Sequence, residues 1–245
     1  MQRYFIKLAY DGAPFNGWQI QPNAPTVQQE IENKLSIILR KKTAIVGCGR
    51  TDSGVHASEY YAHFETDVIL DLEPLKFKLN CMLPKEIAIS EIFKVADDVH
   101  ARFSAKARTY HYFINQEKSA FNHNLSWFMH APLNVDDMNA ACKHLLGKQD
   151  FTSFSKLHTQ TNTNICTISE AFWVKDGVNL VFTITADRFL HNMVRAIVGT
   201  CIEVGRGKVS LEGFKNVIES KSRQNAGASV PGHGLFLAKI VYPNF

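Results

Sequence analysis

The chain contains no run of about 18 apolar residues of the kind that spans a bilayer. Its opening, Met1-Gln2-Arg3-Tyr4-Phe5-Ile6-Lys7-Leu8, has neither the apolar segment nor the cleavage-site pattern of a secretory leader. A soluble, reduced, cytoplasmic protein is therefore expected, with no membrane partner. The five cysteines (Cys48, Cys81, Cys142, Cys166 and Cys201) are far apart, odd in number and without CxxC or CxxH spacing. That pattern excludes a zinc ribbon and a disulfide framework; Cys48 and Cys201, among apolar neighbours, read as core packing. HExxH and HxxxH pairs, GxxxxGK[ST], GxGxxG and GxSxG are all missing, so no metal, no nucleotide cofactor and no activated serine are expected. Gly205-Arg206-Gly207-Lys208 has the wrong glycine spacing for a phosphate loop, and Val209 stands where a hydroxyl is needed. Two of the ten histidines, His56 and His63, are seven apart in a strand-like run, which sends them to opposite faces.

Strong charge of either sign is also lacking. Twenty-seven Lys and Arg against 23 Asp and Glu leave a net +4, and with 45% apolar and 20% charged residues the composition is that of an ordinary globular protein with a sizeable core. The basic residues fall in short groups: Arg40-Lys41-Lys42, Arg102/Lys106/Arg108, Arg206/Lys208 and Lys221/Arg223. Any one of them can be solvated surface; four beside apolar elements make an extended anion, commonly nucleic acid, an expected partner.

What is present alternates strand and helix periodicities. Residues 4–9 read as a strand closed by the Asp11-Gly12 turn. Thr26 with Gln29 forms a capping box, and Val27, Ile31, Leu35, Ile38 and Leu39 repeat at helical spacing behind it. A β-like run at 43–48, a glycine-rich loop at 49–54 and a second run at 57–64 follow, then a short helix at 74–80 and a strand at Ile87–Val95. The second half repeats that order. A strand at 109–114 precedes a helix capped by Asn134, with Asp136 and Asp137 at its positive end, Met138, Ala141, Leu145 and Leu146 inward and Gly147 as terminator. Strands at 168–174 and 180–186, an apolar helix at 189–204, a helix capped by Ser210 and a final strand at Leu235–Val241 complete it. The expected fold is α+β: two related lobes of antiparallel or mixed sheet with helices on one face. An N-terminal lobe is expected over 1–105 and a C-terminal lobe over 106–245, with a cleft between them.

The densest chemical cluster is Gly47-Cys48-Gly49-Arg50-Thr51-Asp52-Ser53-Gly54-Val55-His56-Ala57. Asp52, between two hydroxyl residues and two positions from Arg50, is a candidate for a carboxylate kept ionised; an ordinary Asp-Ser-Gly turn is the alternative. On the strand Arg108-Thr109-Tyr110-His111-Tyr112, alternation puts Arg108, Tyr110 and Tyr112 on one face. They form either a strip that stacks a base or a half-buried edge strand. Arg195, beside the apolar stripe Met193, Val194, Ile197 and Val198, either pairs with a carboxylate or snorkels to water.

Taken in order, these segments resemble the tRNA pseudouridine synthase A family. Tyr10-Asp11-Gly12, Gly17-Trp18-Gln19, Gln21 and Thr26-Val27-Gln28 match its opening, and Gly49-Arg50-Thr51-Asp52-Ser53-Gly54-Val55-His56-Ala57 is its signature. His100-Ala101-Arg102-Phe103, Arg108-Thr109-Tyr110, Asp150-Phe151 with Phe154, Phe189-Leu190 through Met193-Val194-Arg195, and Gly234-Leu235 follow. Cys166 stands where an arginine is expected, and Ser229-Val230-Pro231-Gly232 matches loosely. The resemblance implies a pseudouridine synthase-like fold and an enzyme isomerising uridines 38, 39 and 40 in the anticodon stem-loop of tRNA. It implies a homodimer without cofactor or metal. Asp52 would be the catalytic carboxylate, Arg195 its ion-pair partner, Tyr110 the ring that stacks on uracil, and Arg50 a filler of the vacated space or a phosphate contact.

Overall fold

The computed structural model of the chain describes residues 1–156 and 163–243. They form two compact units: Met1–Lys106 together with the chain from Phe236, and Ala107–Leu235. In the first unit, strand β1 (Gln2–Tyr10) runs antiparallel to β3 (His56–Thr66) on one side and to β4 (Ile87–Val95) on the other, and the short β2 (Val46–Gly47) pairs with β3. Tyr4, Ile6, Leu8 and Tyr10 are buried, as are Tyr60, Ala62 and Phe64, their neighbours across the register. Helices α1 (Val27–Leu39) and α2 (Leu72–Met82) bury Val27, Ile31 and Leu35, and Leu75 and Leu79. Each such side chain removed from water contributes roughly 1.5–3 kcal/mol. Thr26 caps α1, its Oγ1 accepting from the Gln29 amide at 3.4 Å, as the capping box requires.

In the second unit β5 (Ala107–Asn115), β9 (Asn179–Ala186), β8 (Ile165–Asp176) and β7 (Gly147–Asp150) pair antiparallel in that order, and β6 (Trp127–Phe128) lies parallel to the end of β5. Tyr112, Phe182, Ile184 and Trp173 share the buried face, while Phe172 and Val174 on the other face are exposed. Three helices supply the apolar cover: α3 (Val135–Cys142), α4 (Met193–Gly205) and α5 (Leu211–Glu219). Asn134 Oδ1 caps α3 through the Asp136 and Asp137 amides, and Ser210 caps α5 through the Gly213 amide. The last strand, β10 (Leu235–Val241), pairs in parallel with β3, so the chain returns to the first unit. The whole is α+β with mixed strand pairing.

Several expected boundaries move. The apolar helix begins at Met193 rather than at 189, because Asn192 adopts the left-handed conformation (φ 65°) and breaks the turn. The run at 43–48 pairs only over Val46–Gly47. Helix α3 stops at Cys142, a 3₁₀ turn covers Lys143–Leu145, and Leu146 is exposed rather than inward. Tyr112 is wholly buried, whereas Tyr110 on the same face is half-buried.

Candidate functional site

Asp52 lies in the loop between β2 and β3, and the segment after β1 clamps that loop at several points. Tyr10 Oη and Thr51 Oγ1 are 2.9 Å apart, and the Trp18 amide donates to the Thr51 carbonyl at 3.3 Å. Three residues on, the Gly54 amide donates to the Phe15 carbonyl at 3.2 Å, as does Ser53 Oγ at 3.4 Å. A main-chain turn closes between them, the Val55 amide donating to the Asp52 carbonyl at 3.2 Å. Upstream, the buried Tyr60 hydroxyl donates to the Gly49 carbonyl, and the Trp18 indole stacks on the Tyr60 ring at 4.1 Å. Burial raises the Tyr60 hydroxyl well above the usual range, which keeps it a donor. Gly17 makes the clamp possible: its φ is +84°, and a Cβ there would stand 2.2 Å from the Thr51 carbonyl oxygen. The outcome is a rigid loop with Thr51 and Val55 inside and the Asp52 side chain partly open to solvent beside the exposed Arg50.

The two strand histidines anchor structure. His56 is buried, receives the Gly12 amide on Nδ1 at 3.0 Å and stacks on Phe236 at 4.4 Å. His63 is buried against Phe5 and receives the Ala101 amide on Nδ1 at 3.2 Å. Among the described residues no three His, Cys, Asp or Glu side chains group as a metal site.

In the second unit, Tyr110 sits on β5 opposite Ile184, and the Phe189 ring meets it edge-on at 5.0 Å. Arg195, in the first turn of α4, is half-buried; its Nε donates to the Val230 carbonyl at 2.7 Å and its carbonyl accepts from the Val230 amide at 3.3 Å. That contact belongs to a strap over 226–231. Asn192 Nδ2 and Arg223 Nη2 both reach Ser229 Oγ, at 2.5 and 2.9 Å, and Arg223 Nη1 also holds the Ala226 and Gly227 carbonyls. The Gly227 amide donates to Thr200 Oγ1 at 3.0 Å, and Tyr112 Oη donates to the Pro231 carbonyl at 3.0 Å. The strap comes this close because α4 carries Gly199, where a Cβ would stand 1.9 Å from the Ala228 carbonyl oxygen. Cys166, which replaces the expected arginine, is buried in β8, and burial pushes its thiol up to about 12, so the position holds a neutral thiol in place of a cation.

Sequence reasoning singled out Asp52, Arg50, Tyr110 and Arg195. The fold puts the first two on one clamped loop of the first unit, and the other two on β5 and α4 of the second. It missed Tyr60, Arg223 and Asn192 as the residues that hold these segments. Their signals are long-range hydrogen bonds, which spacing does not reveal.

Comparison with known proteins decides the family. A tRNA pseudouridine synthase A of Parabacteroides distasonis is 55% identical over 244 residues, covering 99% of this chain and 97% of its own. The chain belongs to the tRNA pseudouridine synthase A family. Another member, from Bacteroides thetaiotaomicron, is 51% identical over 99% of the chain and 91% of its own, and one from Bacillus subtilis is 42% identical over 97% and 98%. The family's sequence model, described as tRNA pseudouridine synthase, matches residues 141–243. The relatives' similarity extends over nearly the whole chain and so takes in both units.

Proposed function

We propose that the chain isomerises uridine to pseudouridine at positions 38, 39 and 40 in the anticodon stem-loop of tRNA, with Asp52 as the catalytic carboxylate and no cofactor. The observation that carries this reading is the clamped loop, which holds one partly exposed carboxylate at a fixed place in a member of this family. The reaction breaks the N1–C1′ bond, turns the uracil and joins C5 to C1′; the C5 proton leaves for solvent and N1 takes one up in its place. Nothing is oxidised and no group is imported. One ionised carboxylate suffices, either as a nucleophile or as a base at the ribose. Tyr110 is the stacking ring for the uracil, Arg195 the cation that keeps the carboxylate charged, and Arg50 the residue that fills the vacated stack or holds a phosphate. The target base must leave its stack, at a cost of a few kcal/mol. A cytoplasmic homodimer, with one tRNA reaching across both subunits, is part of the same reading.

The test is tritium release from a tRNA transcript labelled at C5 of uridine, with nothing else added. Wild type should release tritium, and Asp52→Asn should be slower by more than about 10³-fold while still binding tRNA. No release by wild type, with tRNA still held in a filter assay, would leave a binding protein on the same scaffold.

A further inference from the structure

We propose that the turn at 98–106 in the first unit is a second nucleotide site, where an unpaired base of the tRNA stacks on Phe103 and its phosphates meet Arg102 and Lys106. The proposal rests on tRNA being the substrate, and it concerns a nucleotide other than the one isomerised. Phe103 is 75% exposed, on a turn that is anything but loose. The His100 amide donates to Ser104 Oγ and the Ser104 amide to the His100 carbonyl, both at 2.9 Å. His100 Nδ1 accepts the Arg102 and Phe103 amides at 3.1 and 3.3 Å, and the Tyr242 hydroxyl holds the Ala101 carbonyl at 2.5 Å. His63 takes the remaining amide, that of Ala101, at 3.2 Å.

Both imidazoles must be neutral to accept these bonds, and the surroundings keep them so. Burial first, then the neighbouring His100 and Arg3, lower His63 to about 4; burial, then the charges of Arg3 and Arg102, lower His100. The His100 ring packs on Phe103 at 4.4 Å between centroids, and the Arg102 guanidinium lies over the same ring, 5.5 Å from its centroid, where an incoming base would have to displace it. A rigid, backed and largely exposed phenyl beside a guanidinium is the arrangement that stacks a nucleobase and meets its phosphate.

Phe103 also walls a cavity of about 270 Å³, with Pro243 among its other residues. Its polar lining is Asp98, Ser104, Lys106 and Tyr242, whose hydroxyl is committed to the Ala101 carbonyl. Lys106 suits a phosphate. Asp98 repels one but accepts from an exocyclic amine, which favours adenine, cytosine or guanine over uracil. The site is distinct from the catalytic loop: His63, which anchors it, lies seven residues along β3 from His56, about 23 Å at strand rise.

The experiment is tRNA affinity by filter binding, with melting temperature as the control for folding. Phe103→Ala should raise Kd about 5- to 150-fold, the loss of one stacked base, with an unchanged melting temperature. Phe103→Trp should bind as wild type does. Arg102→Ala with Lys106→Ala should reduce the salt dependence of binding by about two phosphate contacts. Wild-type affinity in Phe103→Ala would overturn the proposal. So would weakened binding accompanied by dissociation of a dimer in light scattering, since the turn would then face a second copy. Tritium release by wild type is read separately, so failure of the isomerase reading is distinguishable from failure of this site.

Discussion

Gly17 and Thr51 meet where no side chain fits, and Asp52 is the next residue along. A methyl group on Gly17 would stand 2.2 Å from the Thr51 carbonyl oxygen, on a backbone at φ +84° that an L-residue adopts only under strain. Either the 10–18 segment or the 49–55 loop has to give way. A misplacement of about 1 Å at a reacting group costs about 10²-fold in rate. Gly17→Ala should therefore lower tritium release by about 10²-fold and stability by at least about 2 kcal/mol in urea melts. Gly49 supplies the comparison, because a Cβ there would meet nothing within 4 Å. Gly49→Ala should melt within about 0.5 kcal/mol of wild type. Equal stability losses at the two glycines would mean that contact with Thr51 is not what Gly17 protects. The signature residues were legible in the sequence, since their order along the chain carries the resemblance. The clamp was not: Tyr10, Trp18 and Tyr60 are separated from Thr51 and Gly49 in sequence, and only folding shows which hydroxyl meets which carbonyl.

At the scale of elements, local periodicity placed what local forces decide. The strands at Ile87–Val95 and Leu235–Val241 occur as expected, and α1 starts behind Thr26. Apolar content alone overextends one helix: Phe189 and Leu190 precede α4, and Phe189 meets Tyr110 instead. Partner choice was not legible either, because strand register is fixed by non-local contacts. That is why β10, last in the chain, could not be assigned to β3. Its integration there is extensive. The Ile240 amide donates to Glu59 Oε1 at 2.9 Å, Phe236 stacks on His56, and the Tyr242 ring meets Phe5 and Tyr61 edge-on at 5.6 and 5.2 Å. Ile240 and Tyr242 are buried. A fragment ending at Lys106 should then fail to unfold cooperatively. Joining residues 236–243 to it through a flexible linker should restore a single transition in circular dichroism. A cooperative transition from the bare fragment would show that β10 is dispensable to the first unit.

At the scale of the whole molecule, the basic residues bear on assembly. Much of their charge is answered within the fold: Lys41 pairs with Asp67 at 3.0 Å, Lys208 and Arg206 approach Glu203 at 3.4 and 3.7 Å, and Lys221 reaches Asp150 at 3.4 Å. Arg223 is engaged by the carbonyls of its own strap. Such exposed pairs are each worth at most about 1 kcal/mol and open readily to a phosphate, and the net charge of the chain is only +4. A lone subunit would thus hold a polyanion by few contacts, whereas two copies related by symmetry double the contacts available to one tRNA. The proposed homodimer supplies that arrangement. Light scattering should give about 55 kDa, twice the 27.6 kDa of the chain. Titration with unmodified tRNA should saturate without splitting the dimer. A monomer at micromolar concentration that binds tRNA as tightly as the pooled protein would remove the need for a second subunit. The +4 chain would then have to grip its substrate alone, through local sites of the kind proposed at Phe103.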